Sequence, residues 1–189
     1  MKDLLEIKDT LQAARSLLGS VLVHVLPEGK VSGLVVETEA YRSKDDPACH
    51  AFRGKTKRNY VMFGPAGSAY VYFIYGNHYC FNIVTGDEGS GEAVLVRALE
   101  PLDGIGLMRE RRGINQKIIN LTNGPGKLCA AMSISTEHNG MGLLNSPLYL
   151  SRGIQISNDM IGNSTRIGIK NAREKQWRFF IKGNPFVSR

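Results

Sequence analysis

Residues 70–84 read Tyr-Val-Tyr-Phe-Ile-Tyr-Gly-Asn-His-Tyr-Cys-Phe-Asn-Ile-Val, two runs rich in aromatic and β-branched residues around a Gly-Asn pair. Such runs around a two-residue turn are typical of a β-hairpin. The stretch therefore predicts two antiparallel strands with Gly76 and Asn77 in the turn. Because side chains alternate along a strand, it also predicts that Tyr70 and Tyr72 share one face.

The sequence on either side of this hairpin completes an α+β pattern. Asp9 and Gln12 form a capping pattern and Gly19 a stop, which together predict a helix over residues 10–18. The other predicted elements are a hairpin over 21–26 and 31–41, a strand over 93–99, helices over 103–112 and 127–134, and short strands over 154–157, 165–169 and 177–182. We expect a single mixed domain over residues 1–189, with helices around a largely antiparallel sheet.

The composition narrows the class of protein. Of 189 residues, 42% are hydrophobic, yet no apolar run reaches the roughly 18 residues of a membrane span. The first residues also lack the apolar stretch of a signal peptide, so we expect an intracellular, cytoplasmic protein with no membrane partner. Cys49, Cys80 and Cys129 are widely spaced. This spacing predicts buried thiols rather than disulfides or metal ligands.

Basic residues are concentrated in the second half of the chain. The formal net charge is +7; residues 1–95 carry 10 basic and 11 acidic side chains, and residues 96–189 carry 14 and 6. A lopsided basic chain favours a polyanionic partner, nucleic acid first and an anionic membrane second. A solvated basic surface is the alternative that charge alone leaves open.

Two carboxylates fall on one face of a predicted strand. In Val35-Val-Glu-Thr-Glu-Ala-Tyr41, alternation places Glu37, Glu39 and Tyr41 together, opposite a face of small residues. These carboxylates could simply face water. Alternatively, one of them could deprotonate a water molecule or stabilise positive charge as a glycosidic bond breaks.

Three further features could carry function. Residues 42–67 form a long polar loop, which is uncommon unless functional, and it contains His50, a histidine without a second histidine at metal-ligand spacing. Tyr75 stands at the predicted hairpin tip, where an aromatic side chain could enter a base stack or belong to a cross-strand aromatic ladder. Gly124-Pro-Gly-Lys127 could be a plain helix entry or a phosphate-binding helix start.

Seven motifs in one order carry a family resemblance. They are Glu37-Thr-Glu-Ala-Tyr41, Ala48-Cys-His50, Arg58-Asn59 with Met62-Phe63, Tyr70-Val-Tyr-Phe-Ile-Tyr-Gly76, Arg97-Ala-Leu-Glu-Pro101, Gly124-Pro-Gly-Lys-Leu-Cys129 and Arg166-Ile-Gly-Ile169. Together they resemble the alkyladenine (3-methyladenine) DNA glycosylase family, in a bacterial-type member. The resemblance runs from about residue 8 to Gly183-Asn-Pro-Phe-Val187.

The resemblance implies a monofunctional, base-flipping enzyme with a curved antiparallel sheet, a protruding hairpin and no metal or cofactor. Its substrate would be double-stranded DNA containing damaged purines, bound by a monomer. Glu39 matches the general base that activates water. Arg97 matches an arginine that holds this water, and Ile167 stands where the family contributes a backbone carbonyl to it.

The resemblance also assigns the binding residues. Tyr41, His50 and Tyr72 match the pocket around the flipped base, and Asn82 matches a residue that restricts guanine. Tyr75 matches the side chain that fills the gap in the duplex. The resemblance places Asn77 and His78 near the DNA too, at positions where vertebrate members carry Met-Tyr.

Three alternatives remain open from the residues. A glycosylase with lyase activity would use a lysine such as Lys55, Lys57 or Lys127 as a Schiff base. A non-catalytic nucleic-acid-binding module would explain the charge and the aromatic hairpin but not a carboxylate facing a phosphate backbone. A sugar hydrolase would use Glu37 and Glu39 as its carboxylate pair, and it would leave the basic charge unexplained.

Overall fold

The structure, a computed structural model, describes residues 1–74, 76–113, 115 and 117–188. Within these residues, eight strands form one curled antiparallel sheet. They are β1 (Val21–Leu26), β2 (Gly29–Tyr41), β3 (Ala69–Ile74), β4 (His78–Thr85), β5 (Glu92–Pro101), β6 (Leu148–Ser151), β7 (Ile161–Ser164) and β8 (Arg178–Ile181). The α+β class with a largely antiparallel sheet is confirmed.

The helices pack against this sheet. They are α1 (Lys2–Leu5), α2 (Thr10–Ser16), α3 (Ile105–Arg112) and α4 (Pro125–Met132), with 3-10 turns at Tyr60–Phe63, Ile118–Asn120, Thr136–His138 and Asn158–Met160. The predicted cap is confirmed, since the Asp9 carboxylate accepts a hydrogen bond from Gln12 N–H at 2.7 Å. The helix predicted over 127–134 instead begins at Pro125 and ends at Met132, because proline suits the first turn of a helix.

The strands follow the order β3-β4-β5-β2-β1-β6, with β8 beside the second half of β2 and β7 beside β8. Both predicted hairpins are present, as β1–β2 and β3–β4. In the second hairpin the last described pair is Ile74 opposite His78. The prediction for Tyr75 lies outside the described residues.

Strand β2 positions the two carboxylates. Its first half pairs with β1 and its residues 37–39 pair with β8, while β5 lies along its other edge. The register shifts on both sides of Glu37, which marks an irregularity in the ladder. Thr38 donates to the carbonyl of Ala14 in α2, so the small-residue face packs on that helix. The face of Glu37 and Glu39 therefore points away from α2.

Two of the predicted short strands are wrong. Residues 154–157 have no regular structure; Ile154 is 59% exposed, and its N–H donates to Gly19 O. Residues 165–169 also form no strand, because β7 ends at Ser164 and Gly168, with φ +78, bends the chain. The sequence prediction missed β6. The strand over 177–182 is confirmed as β8, one residue shorter at each end.

Two apolar clusters form the core. The larger cluster joins the helices to the sheet, and the smaller joins the loop after β2 to β3, β4 and β5 through Cys49, Val61, Met62 and Tyr70. The three cysteines are free and buried, as predicted. No helix in the described part of the chain is long and apolar enough to span a membrane.

Candidate active site

A cavity of about 530 Å³ opens on the face of the sheet that carries the carboxylates. Three cross-strand pairs of the β3–β4 hairpin line it: Tyr70 with Asn82, Tyr72 with Cys80 and Ile74 with His78. Strand β5 adds Arg97, and the loop after β2 adds His50. This volume lies within the range of sites for small molecules. Alternate residues of the two hairpin strands therefore form one wall of the cavity.

Glu39 lies beside the cavity, behind side chains that line it outside the hairpin. Its side chain is fully buried, and it is held by three residues that do line the cavity. Tyr41 donates its hydroxyl to Oε2 at 2.8 Å, and Ile167 donates its backbone N–H to Oε1 at 2.8 Å. Arg97 Nη1 lies 3.5 Å from Oε1. The predicted catalytic residues Glu39, Arg97 and Ile167 thus meet at one point.

Burial dominates the protonation of Glu39. The loss of solvent raises the pKa of its carboxyl above the ordinary 4.5, although Arg97, the Ile167 N–H and the Tyr41 hydroxyl all lower it. The nearby Glu37 raises this pKa further. Arg97 therefore favours the ionised form of Glu39, and burial opposes it.

Glu37 lies on the same face but does not line the cavity. Arg178 Nε donates to its Oε1 at 2.5 Å, and Arg97 Nε lies 3.3 Å from the same oxygen. Ser188 donates its backbone N–H to Oε2 at 2.6 Å and its hydroxyl to Oε1 at 2.9 Å. The two carboxylates therefore share Arg97, and Glu37 is satisfied by groups outside the cavity.

A buried ion pair packs against the ring of Tyr41. The guanidinium of Arg166 lies 4.6 Å from the centre of the Tyr41 ring and donates to both carboxylate oxygens of Asp46, at 2.6 and 2.7 Å. Both side chains are fully buried, and Arg166 also donates to Ala40 O. Burial and Glu39 raise the pKa of Tyr41 well above 10, so the phenol keeps its proton and acts as a donor.

Aromatic side chains form the opposite side of the cavity. The ring of His50 lies 4.6 Å from the ring of Tyr72, and His50 Nδ1 is 3.0 Å from the hydroxyl of Tyr70. Burial lowers the pKa of His50, and the nearby Arg58 lowers it further, so this imidazole is neutral at pH 7. Asn82, also predicted for this pocket, is buried and donates its amide to Tyr70 O at 3.0 Å.

The hairpin end and α4 form the mouth of the cavity. Asn77 and His78 are exposed there. A Cβ built on Gly126 would lie 2.9 Å from Cγ of His78, so the hairpin packs directly on the first turn of α4. Lys127 also lines the cavity and donates to Asn123 Oδ1 at 2.8 Å. The Gly124-Pro-Gly-Lys127 motif is therefore both a helix entry and part of the cavity mouth.

Comparison with known proteins identifies the family. The methylpurine-DNA glycosylase family model matches residues 5–185. The chain belongs to this family. One relative, from Methanoculleus marisnigri, is 49% identical over 185 residues, which are 96% of this chain and 95% of that protein. A second, from Carboxydothermus hydrogenoformans, is 47% identical over 183 residues, 96% and 95% of the two chains. Both carry the name "Putative 3-methyladenine DNA glycosylase".

Membership fixes the general activity. The protein is a DNA glycosylase, a hydrolase that cleaves N-glycosyl bonds in DNA repair, and DNA is its substrate. The non-catalytic binding module and the sugar hydrolase are thereby excluded. No group of three or more histidine, cysteine or carboxylate side chains in the described ranges is arranged to hold a metal ion.

The sequence reasoning missed several residues of this glycosylase site. Tyr70 was assigned no role although it orients His50, and Asp46 was seen only as part of a polar loop. Arg178 and Ser188 bind Glu37 from positions 141 and 151 residues further along the chain. No local pattern links partners so far apart. Two buried carboxylates need cations nearby, and this requirement alone could have suggested that an arginine such as Arg178 contacts Glu37.

Proposed function

We propose that this glycosylase flips alkylated or deaminated purines, of the 3-methyladenine and hypoxanthine types, out of duplex DNA. It then hydrolyses the N-glycosidic bond with a water molecule activated by Glu39, and so initiates base excision repair. The observation that carries the proposal is the buried Glu39 carboxylate, bonded to Tyr41, Arg97 and Ile167 at the wall of an aromatic cavity. The 3-methyladenine in the names of the relatives supports the substrate class.

Base flipping follows from the position of the carboxylate. Glu39 is buried behind the cavity wall, and a base stacked in a duplex cannot reach it. The target nucleotide must therefore rotate into the cavity, which costs a few kcal/mol and least for a damaged base. The exposed Asn77 and His78 at the mouth support contact with the duplex there. From the family resemblance, we assign Tyr75 to the gap that the base leaves.

The cavity walls suit a flat purine. Tyr41 and Tyr72 line it, and the neutral His50 stands beside Tyr72. A positively charged alkylated base gains about 0.5–2 kcal/mol from an aromatic face. Arg166 and Arg58 already lie 4.6 and 5.5 Å from the ring centres of Tyr41 and Tyr72, which reduces this gain. Neutral bases such as hypoxanthine lose nothing by these cations, so the pocket accepts both kinds. Asn82 crowds the exocyclic amine of guanine.

Hydrolysis needs a base for water. An ionised Glu39 takes a proton from a water molecule that Arg97 and the carbonyl of Ile167 hold against the sugar carbon. The alkylated base is positively charged and leaves as a neutral purine, so no general acid is required for it; hypoxanthine takes the bonding electron pair and a proton from solvent as it leaves. One copy of the chain bound to a damaged duplex suffices, because every group named belongs to one chain.

A lyase reaction through a lysine is the alternative to be tested. Lys127 does line the cavity, and its ammonium group is bonded to Asn123. Lys55 and Lys57 lie in the loop and are not among the residues that line the cavity. Borohydride would trap a covalent protein–DNA adduct if any of them formed a Schiff base. We expect no adduct, because the site presents a carboxylate to water rather than an amine to the sugar.

The experiment measures base release under single-turnover conditions from two duplexes, one with an alkylated adenine and one with hypoxanthine. We expect Glu39→Gln to lower the rate by about 10²–10⁴-fold on both duplexes. Glu92→Gln is the matched control, because Glu92 is also a buried carboxylate but is bonded to Thr10 and does not line the cavity. If Glu39→Gln released bases as fast as Glu92→Gln, the proposed role of Glu39 would be wrong.

A further inference from the structure

Ser188 is tied into the charged cluster by every polar atom it has. Its backbone N–H and hydroxyl both donate to Glu37, at 2.6 and 2.9 Å. Its hydroxyl oxygen accepts from Arg97 Nε at 3.0 Å, and its carbonyl accepts from Arg178 at 3.0 Å. The residue is 6% exposed. Ser188 therefore joins the cluster from outside the cavity, which it does not line.

Arg97 stands between this cluster and the cavity. Its Nε faces Ser188 and Glu37, and its Nη1 faces Glu39. The side chain is only 11% exposed, and it lines the cavity while Glu37 does not. Because a guanidinium is a rigid plane, fixing its Nε edge also fixes the direction of its Nη atoms. The position of Arg97 in the cavity is therefore set from behind.

We propose that Ser188 and Glu37 are positioning residues, which hold Arg97 at the angle that the hydrolysis of the glycosidic bond requires. The hydroxyl of Ser188 accepts a hydrogen bond from Arg97 and donates one to Glu37, so it links the two side chains. An apolar side chain at this position could not form that link. Loss of that hydroxyl leaves the Nε edge with the longer 3.3 Å contact to Glu37 alone. The guanidinium can then turn in the cavity.

A small rotation of Arg97 matters because hydrolysis depends on geometry. A misplacement of about 1 Å in a catalytic group can cost about 10²-fold in rate. The proposal rests on the function proposed above for Arg97, but it adds residues from outside the cavity that do not touch the substrate. It also explains why the fully buried Glu37 accepts three hydrogen bonds and forms an ion pair with Arg97.

The test compares Ser188→Ala with Ser164→Ala. Both changes remove one serine hydroxyl from the same cluster, but Ser164 accepts only from Arg178, at 2.9 Å, and not from Arg97. The readout is the single-turnover rate of base release at saturating enzyme, corrected for the folded fraction by near-UV circular dichroism. We expect Ser188→Ala to be slower by at least about fivefold and at most about 10²-fold, and Ser164→Ala to match the wild type.

A double-mutant cycle with Arg97→Lys separates positioning from simple stability. Lysine has no Nε donor, so Ser188→Ala should cause no further loss of rate in the Arg97→Lys background. Equal rates for Ser188→Ala and Ser164→Ala, or an undiminished effect of Ser188→Ala in Arg97→Lys, would overturn the positioning role. The cycle does not involve Glu39, so failure of the proposed general base would show separately, as an unimpaired Glu39→Gln.

Discussion

The hydroxyl of Tyr41 lies 2.8 Å from Oε2 of Glu39, two residues before it on the same face of β2. Tyr41 therefore makes two contacts: its ring lines the cavity, and its hydroxyl donates a hydrogen bond to the buried Glu39 carboxylate. On the proposed mechanism, this hydrogen bond couples the stacking of the base on Tyr41 to the protonation of Glu39. The consequences can be measured through pH.

The rate of base release should fall on the acid side at a pH above 4.5. A protonated carboxyl cannot take a proton from water, so the rate declines as the pH falls through the pKa of Glu39. Burial raises this pKa above its ordinary value of 4.5. A profile of single-turnover rate against pH, on the hypoxanthine duplex, measures the position of the acid limb. An acid limb below 4.5 would contradict the assignment.

Tyr41→Phe should move the acid limb to higher pH. The substitution keeps the ring but removes a hydrogen bond that lowers the pKa of Glu39, so the carboxyl holds its proton to a higher pH. The rate on the alkaline side of the limb should change much less than in Glu39→Gln. The same pH profile tests this, and an unmoved limb would show that the hydroxyl does not act on the reacting form of Glu39.

Glu37→Gln should move the limb in the opposite direction. The charge of Glu37 raises the pKa of Glu39, so its removal lets Glu39 ionise at a lower pH. The plateau rate should also fall, because Arg97 loses an anchor, but by less than in Glu39→Gln. Equal losses of plateau rate in the two variants would contradict the division of labour between the carboxylates.

Asp46→Asn should strongly destabilise the fold. It breaks a fully buried ion pair and leaves Arg166 charged without its carboxylate, which costs about 3–5 kcal/mol. Asp3→Asn is the matched control, since Asp3 forms a 3.5 Å contact with Arg152 in which both side chains are mostly exposed. Urea unfolding of the two variants provides the comparison. Similar midpoints for both would mean that the buried pair adds no stability.

Gly126→Ala should weaken the binding of DNA through His78. The new Cβ would lie 2.9–3.1 Å from the ring and Cβ of His78, and the end of the hairpin must move to make room. In a His78→Ala background the ring is gone and only the 3.1 Å contact with Cβ remains, so the same change should have a smaller effect. Affinity for a duplex with an abasic-site analogue, measured at one salt concentration, completes the cycle. Additive losses would show that the contact is not the cause.

The sequence predicts those strands well whose alternation of side chains reflects one buried face. Alternation identified β2, β3, β4 and β5, and with the resemblance it placed Glu39, Tyr41, Tyr72, Asn82 and Arg97 at one site. It failed at β6 and β7, which have four residues each; β7 reads Ile-Gly-Asn-Ser, with little β propensity. The alternation at Ile154-Gln-Ile-Ser157 was misleading, because this segment lies along the surface by Gly19.

The tertiary partners of the site could not be predicted. Ile167 reaches Glu39 with its N–H because Gly168, at φ +78, turns the chain there, whereas the resemblance had pointed to its carbonyl. The carbonyl assignment stays a prediction. Asp46 and Arg166 form their ion pair although 120 positions separate them in the sequence. The residues next to each of them give no sign that it belongs to a buried pair.

The order in which the site is made on the ribosome follows from these long spans. Glu37 and Glu39 leave the ribosome more than 100 residues before their partners Ile167, Arg178 and Ser188, which are separated from them by 128, 141 and 151 positions. Until then the two carboxylates have only Arg97 and Tyr41 beside them. A nascent chain without these partners therefore holds both carboxylates without most of their hydrogen-bond donors. On the proposed mechanism, the surroundings of Glu37 and Glu39 are therefore complete only after β8 has paired with β2 and Ser188 has reached Glu37.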